Sequence, residues 1–191
     1  MVTGVVLAGG KSLRYGRNKA LEVFKGQRLI ERGVEALRPF CDPLLVVAND
    51  LGAYYDVRAT LVQDIMAHQG PLGGLYTALL FSPNDWAFVR ATDMPFLVPE
   101  LLTMMLEMRG ECDAVIPLLN ERYEPLLALY RRSCIPAIAD TIEGGERKVV
   151  VFFRRVKIKT LPEALWRTVD PEGLSFMNVN TLDDWNHLEW N

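Results

Sequence analysis

Histidine and cysteine are scarce in this chain, with two of the first and three of the second among 191 residues. His68 and His187 have no obvious partners in sequence. No Ser-His-Asp set is indicated, and both histidines read as surface or structural. Cys41, Cys112 and Cys134 are odd in number and lie 71 and 22 residues apart, a spacing that fits neither a zinc site nor a disulfide framework. Three buried thiols in a reduced, cytoplasmic protein are expected. No apolar run approaches the roughly 20 residues that span a bilayer, and the first apolar run starts at Val2, so no secretory leader is expected. Internal repeats, low-complexity tracts and a linker long enough to mark a second domain are also missing. Two familiar phosphate loops are missing as well. A Walker A loop fails because five residues separate Gly10 from Gly16 and Arg17 follows. The G-x-G-x-x-G fingerprint fails because Gly9 and Gly10 are adjacent, with no third glycine in register.

What remains is a globular composition, half hydrophobic and about a quarter charged. Net charge is −3, which gives no reason to expect nucleic-acid binding. The distribution of charge is more telling. Windows 11–19 and 147–159 hold ten of the 21 basic residues and no acid, which leaves 11 basic residues against 24 acidic ones elsewhere. Positive charge gathered in two places suits anionic small molecules.

Strand-like and helix-like segments alternate. The run 2–8 is a buried strand, and Leu29, Ile30, Gly33, Val34 and Leu37 mark one face of a helix over about 28–38. Further strands are expected at 44–48, 59–62 and 86–91, with candidates at 114–116 and 126–130. Helices are expected over about 72–81 and 100–109, the second with Pro99 near its start. This alternation predicts one α/β domain, residues 1–191, with a mainly parallel sheet in a three-layer α/β/α, Rossmann-like arrangement. Ligands of such sheets bind outside the carboxyl ends of the strands. Gly9-Gly10, Asn49, Asp64 and Asp93 each follow a strand end and would share one edge.

The chemistry of these residues suits a polyphosphate. The glycine pair lets the backbone approach a ligand, and Lys11, Arg14, Arg17 and Lys19 follow it without an acid between them. A carboxylate at a strand end, such as Asp93, is a natural Mg²⁺ ligand beside phosphates. Taken singly, each feature has an ordinary reading: Asp93 and Asp64 as turn aspartates, Gly70–Gly74 as a turn into a helix, Arg147-Lys148 as a solvated pair. Lys157 and Lys159, alternating with Ile158, read as the wet side of a half-exposed strand. Asn178 and Asn180 point the same way if the chain is extended, and could also cap a turn.

Together, LAGGKSLRYGRNK, Gln63-Asp64, GPLGG and Thr92-Asp93-Met94-Pro95 resemble a nucleotidyltransferase family that includes molybdenum cofactor guanylyltransferase. Its signature runs roughly L-A-G-G-x-S-x-R-M-G-x-x-K, and Tyr15 stands at the methionine. By position, the resemblance makes Leu7, Ala8, Gly9, Gly10, Lys19 and Gly73 nucleotide contacts, and Asp64 the guanosine-side aspartate. It makes Asp93 the Mg²⁺ and phosphate aspartate, with Arg14 and Lys19 beside it as catalytic cations. The family's asparagine after the second strand matches in two registers, of which Asn49 is taken. EGGERKVVVFF and Asn178-Val179-Asn180-Thr181 resemble acceptor-side segments, so Arg147, Lys148, Asn178 and Asn180 are acceptor candidates.

The implied reaction transfers GMP from GTP to the terminal phosphate of molybdopterin and releases pyrophosphate, with Mg²⁺ as cofactor. The implied partners are GTP, molybdopterin and transiently the proteins that deliver it, with no nucleic acid, no membrane and a monomeric state. A cytidylyltransferase acting on the same cofactor, or another small-molecule NTP transferase, is the near alternative, although Gly9-Gly10 and GPLGG favour guanine. A nucleotide-binding regulatory module without catalysis is the alternative of a different class. Retention of both Lys19 and Asp93 argues against it.

Overall fold

The first strand explains most of the architecture. In β1 (Thr3–Leu7) all five residues are buried, as a strand must be when it has neighbours on both sides and helices on both faces. A computed structural model of the chain describes residues 1–9 and 18–179. In it β1 pairs in parallel with β4 (Leu44–Ala48) on one side and with β6 (Trp86–Ala91) on the other. Strand β5 (Thr60–Gln63) adds to β4, also in parallel. Short strands β2 (Val23–Phe24) and β3 (Gln27–Arg28) form a separate hairpin. The remaining strands are β7 (Ala114–Leu119), β8 (Arg122–Tyr123), β9 (Leu127–Arg131) and β10 (Ile158–Leu161). They complete an eight-stranded sheet of order β10-β7-β9-β6-β1-β4-β5, with β8 paired to β7.

The sheet is mainly parallel. Besides the short β8, antiparallel to β7, the exception is β9, antiparallel to both β6 and β7. Its cause is length, because a parallel return needs a crossover of a dozen residues or more. Only the seven residues 120–126 join β7 to β9.

Side chains alternate between two cores, as the pleat requires. Val6, Val46, Phe88 and Leu129 face α1 (Leu29–Leu37), α3 (Pro99–Glu107) and the short α5 (Glu163–Trp166). Val5, Leu7, Val47, Val89 and Tyr130 face α2 (Pro71–Phe81), α4 (Ile135–Glu143) and a 3₁₀ turn over Val149–Arg155. Three layers result. All three cysteines are free and buried, and burial pushes the thiols of Cys41 and Cys134 up to about 12. Among the described residues no helix is long and apolar enough to cross a membrane.

Two crossovers set the position of the site. From β1 the chain leaves through α1 towards β4 and β5; from β5 it returns through α2, on the opposite face, to β6. That reversal beside β1 opens a crevice at the carboxyl ends of its neighbours. Close packing of α1 on β1 depends on Gly4. A Cβ there would fall 2.8 Å from the Cβ of Cys41 and 3.2 Å from that of Leu37. Gly4→Ala is expected to cost about 1–3 kcal/mol, read as a lower urea midpoint with an unchanged slope.

Candidate active site

Because β1, β4, β5 and β6 run in one direction, their last residues release the chain along one edge. Ala8-Gly9, Asn49, Asp64 and Thr92-Asp93 leave the sheet there. A cavity of about 180 Å³ lies at that edge. Leu7, Ala8, Gly9, Lys19, Asp64 and Asp93 line it, together with Asn18, Pro71, Gly74 and Thr92.

Hydrogen bonds fix each wall. The Ala8 N–H donates to the Val47 carbonyl at 2.8 Å, carrying the β1–β4 pairing one residue past the strand. On the other side Thr92 Oγ1 donates to the Leu7 carbonyl at 3.0 Å. That bond ties the Asp93 turn to the end of β1. Tyr54, buried under the cleft, links two of its edges: Asn18 Nδ2 donates to the phenol oxygen at 2.8 Å, and that oxygen lies 3.4 Å from the Ala8 carbonyl. Burial raises the Tyr54 phenol, so it stays neutral. Asn18 Oδ1 also accepts from the Ala20 N–H at 3.2 Å and so starts the short turn that carries Lys19.

Lys19, Asp93 and the 178–179 segment meet although they are far apart in sequence. The Val179 N–H donates to the Asp93 carbonyl at 2.8 Å, and Lys19 Nζ donates to the Val179 carbonyl at 3.3 Å. Behind them lies Arg90, fully buried in β6. Its Nη2 donates to the Phe96 carbonyl at 3.0 Å, while Nε and Nη1 have no protein partner among the described residues. Desolvation pulls Arg90 down to about 10, and the charge of Asp93 opposes that fall. The guanidinium is therefore still charged at neutral pH. It holds the Thr92–Leu97 loop from below. Burial also pushes the Glu124 carboxyl up; the Leu126 N–H it accepts pulls it down, and the charge of Asp93 adds to burial.

Asp64 is held on the opposite wall. Its Oδ1 accepts from Thr77 Oγ1 at 2.7 Å and from the Met66 N–H at 3.0 Å.

Not every expected residue lines the cavity. Gly73 turns inward, where a Cβ would fall 2.5 Å from the Met66 carbonyl oxygen. Its smallness serves the approach of α2 to the preceding loop, and Gly74 is the glycine on the cleft wall. Asn49 is exposed and abuts Gly9, whose added Cβ would sit 3.3 Å from Asn49 Nδ2. Arg147 and Lys148 are exposed at the end of α4, and Asn178 is exposed beside Val179; none of the three lines the cavity. Gly10, Arg14 and Asn180 lie outside the described residues. Tyr54, Thr77 and Arg90 are site features outside every motif, while Asn18, Gly74 and Thr92 lie within the motifs but carry no role in the motif reading.

Residues 4–158 match the model of the MobA-like NTP transferase domain. The chain belongs to this family. A molybdenum cofactor guanylyltransferase of Desulfosudis oleivorans is 33% identical, over 98% of this chain and 94% of its own. A probable molybdenum cofactor guanylyltransferase of Chloroflexus aggregans is 36% identical, over 96% and 91%. The crystal structure of molybdopterin-guanine dinucleotide biosynthesis protein A from Archaeoglobus fulgidus superimposes with a TM-score of 0.83 at 32% identity, covering 98% of this chain and 97% of that one. In this MobA-like NTP transferase the Tyr54 phenol is the bond between the Ala8 and Asn18 sides of the cleft. Tyr54→Phe is expected to cost about 1–2 kcal/mol, seen as a fall of several degrees in melting temperature.

Proposed function

We infer that this chain transfers GMP from GTP to the terminal phosphate of molybdopterin, forming the guanine dinucleotide and releasing pyrophosphate. The observation that carries the reading is the convergence of Leu7-Ala8-Gly9, Lys19, Asp64 and Asp93 on one cleft, in a member of a nucleotidyltransferase family. Relatives named as molybdenum cofactor guanylyltransferases over nearly the whole chain support guanine and the pterin acceptor.

In the reaction a phosphate oxygen of the acceptor attacks the α-phosphorus, and the bond from that phosphorus to the bridging oxygen of the β-phosphate breaks. The nucleophile is already an anion, so no strong base is needed. The barrier lies in bringing two anions together and in charge building on the leaving pyrophosphate. Lys19, held half-buried at the cleft wall, places an ammonium against the phosphates. Arg14 is the second cation of this reading. Gly9 lets the triphosphate lie close to the end of β1, where a side chain would crowd Asn49. Arg147, Lys148, Asn178 and Asn180 are assigned to the acceptor phosphate and pterin.

The donor set fits Mg²⁺. Asp93 brings one carboxylate to the cleft wall, and among the described residues no three His, Cys, Asp or Glu side chains converge to hold a metal ion. Mg²⁺ typically keeps waters and is held by one or two carboxylates with substrate phosphates. Bound by Asp93, it would supply neutralisation of triphosphate charge. The reading also places the enzyme in the cytoplasm, which three free thiols support, as a monomer of one domain with small-molecule substrates.

Asp93→Ala is expected to lower guanylyl transfer by about 10²-fold or more while the melting curve stays cooperative; a Mg²⁺-dependent rate near that of the wild type would remove Asp93 from this role. GTP with Mg²⁺ is expected to raise the melting temperature more than CTP does. An equal or reversed pair of shifts would turn the reading to the cytidylyl alternative.

A further inference from the structure

Thr77 is a polar residue in the middle of α2, with no exposed surface. A threonine inside a helix commonly returns its hydroxyl proton to a carbonyl of the preceding turn. Here the hydroxyl leaves its helix. It accepts the Ile65 N–H at 3.2 Å and lies 2.7 Å from Asp64 Oδ1. Because the backbone N–H is the donor in the first contact, the hydroxyl proton is free to go to the carboxylate. With the Met66 N–H at 3.0 Å, Asp64 Oδ1 is then filled by two donors.

Oδ2 is left over. It lies 4.0 Å from where a Cβ on Gly74 would be, and both residues line the cleft. Gly74 and Thr77 are three apart on α2 and so share a face: one makes room for the carboxylate while the other grips it.

Sheet order shows which part of a nucleotide this oxygen meets. Asp93 follows β6 and Asp64 follows β5, three places along in the order β6-β1-β4-β5. At about 4.8 Å between strands the two ends are about 14 Å apart. A nucleotide with its phosphates at Asp93 carries its base towards Asp64. A carboxylate oxygen there accepts from N–H groups. Guanine offers the N1–H and the amino group side by side, while cytosine and adenine set a bare ring nitrogen next to their amino group.

We propose that Thr77 is a positioning residue for base selection, holding Asp64 by Oδ1 so that Oδ2 is turned to the N1–H and amino edge of guanine. The proposal rests on the guanylyl-transfer reading above and adds the residue that orients the aspartate.

Calorimetric titration of wild type, Thr77→Val and Thr77→Ser with GTP, ITP, 2′-deoxy-GTP and CTP, in Mg²⁺ and without acceptor, tests it. ITP lacks only the amino group of the base. Wild type is expected to bind GTP about tenfold or more tightly than ITP, the scale of one hydrogen bond to a charged group. In Thr77→Val, GTP affinity should fall about tenfold and the GTP-to-ITP ratio should shrink to about threefold or less. Thr77→Ser should restore the wild-type ratio. A residue that merely stabilised the fold would leave that ratio unchanged. If Thr77→Val loses its cooperative melt, Thr77→Cys, with its weak S–H donor, carries the same comparison. A wild-type GTP-to-ITP ratio in the hydroxyl-free variant, or a change in the GTP-to-deoxy-GTP ratio instead, would overturn the proposal. Wild-type protein that bound CTP as tightly as GTP would overturn the guanine reading itself, and the Thr77 proposal with it.

Discussion

The parallel pairing of β1 with β4 and with β6 is the constraint on which everything else rests. Gly4 to Leu7 of β1 are aligned with partners on both sides, so the carboxyl ends of these strands cannot be displaced along the sheet independently. The same pairing fixes which side chains face which core. Val5 and Leu7 go to one core and Val6 to the other, and slipping one residue would exchange them. Alignment enforced by core burial therefore also fixes where Gly9 and Asp93 stand relative to each other. Two hydrogen bonds just past the strand end, from Ala8 to Val47 and from Thr92 to Leu7, extend that alignment into the cleft.

Charge is arranged around this frame in layers. Among the described residues, one ammonium, Lys19, and two carboxylates, Asp64 and Asp93, stand at the cleft wall. Beneath the Asp93 loop is the buried guanidinium of Arg90, close enough to feel the charge of Asp93. Burying an incompletely paired cation is costly. Here it sits under the loop that would face the most highly charged part of a nucleoside triphosphate. The two carboxylates differ in how they are held. Asp64 is gripped by side-chain and backbone donors, whereas Asp93 is tied through its main chain to Val179. A fixed carboxylate suits recognition of a base edge, and one with a freer side chain suits shared coordination of a cation.

The central strands were legible because they are apolar runs, interrupted in the second by Arg90 alone, that end at polar residues: 44–48 and 86–91 coincide with β4 and β6. The stripe of Leu29, Ile30, Gly33, Val34 and Leu37 is buried in α1 as its spacing requires. Where pattern and structure part, tertiary packing is the cause. Val149–Phe153 has the composition of a strand, yet it is wound into a 3₁₀ turn in which Val149, Phe152 and Phe153 fill the core under α4. At the site, Asp64 and Asp93 stood out because strand ends are where ligands bind. Thr77, Tyr54 and Arg90 did not, because their partners lie across the fold or in a neighbouring loop. A signal was present for two of them: a hydroxyl inside the apolar run Leu72–Phe81, and a charge inside the buried strand Trp86–Ala91. Gly73 and Gly74 are indistinguishable in sequence, and only the winding of α2 decides which of them faces the cleft.

The most direct measurement of the central claim is a competition. The protein is incubated with Mg²⁺, molybdopterin and an equal mixture of the four nucleoside triphosphates, and the dinucleotide formed is identified by mass. Guanylyl transfer predicts molybdopterin guanine dinucleotide as the main product, with one pyrophosphate released for each. A cytosine dinucleotide, or nucleotide binding with no dinucleotide formed, would contradict it.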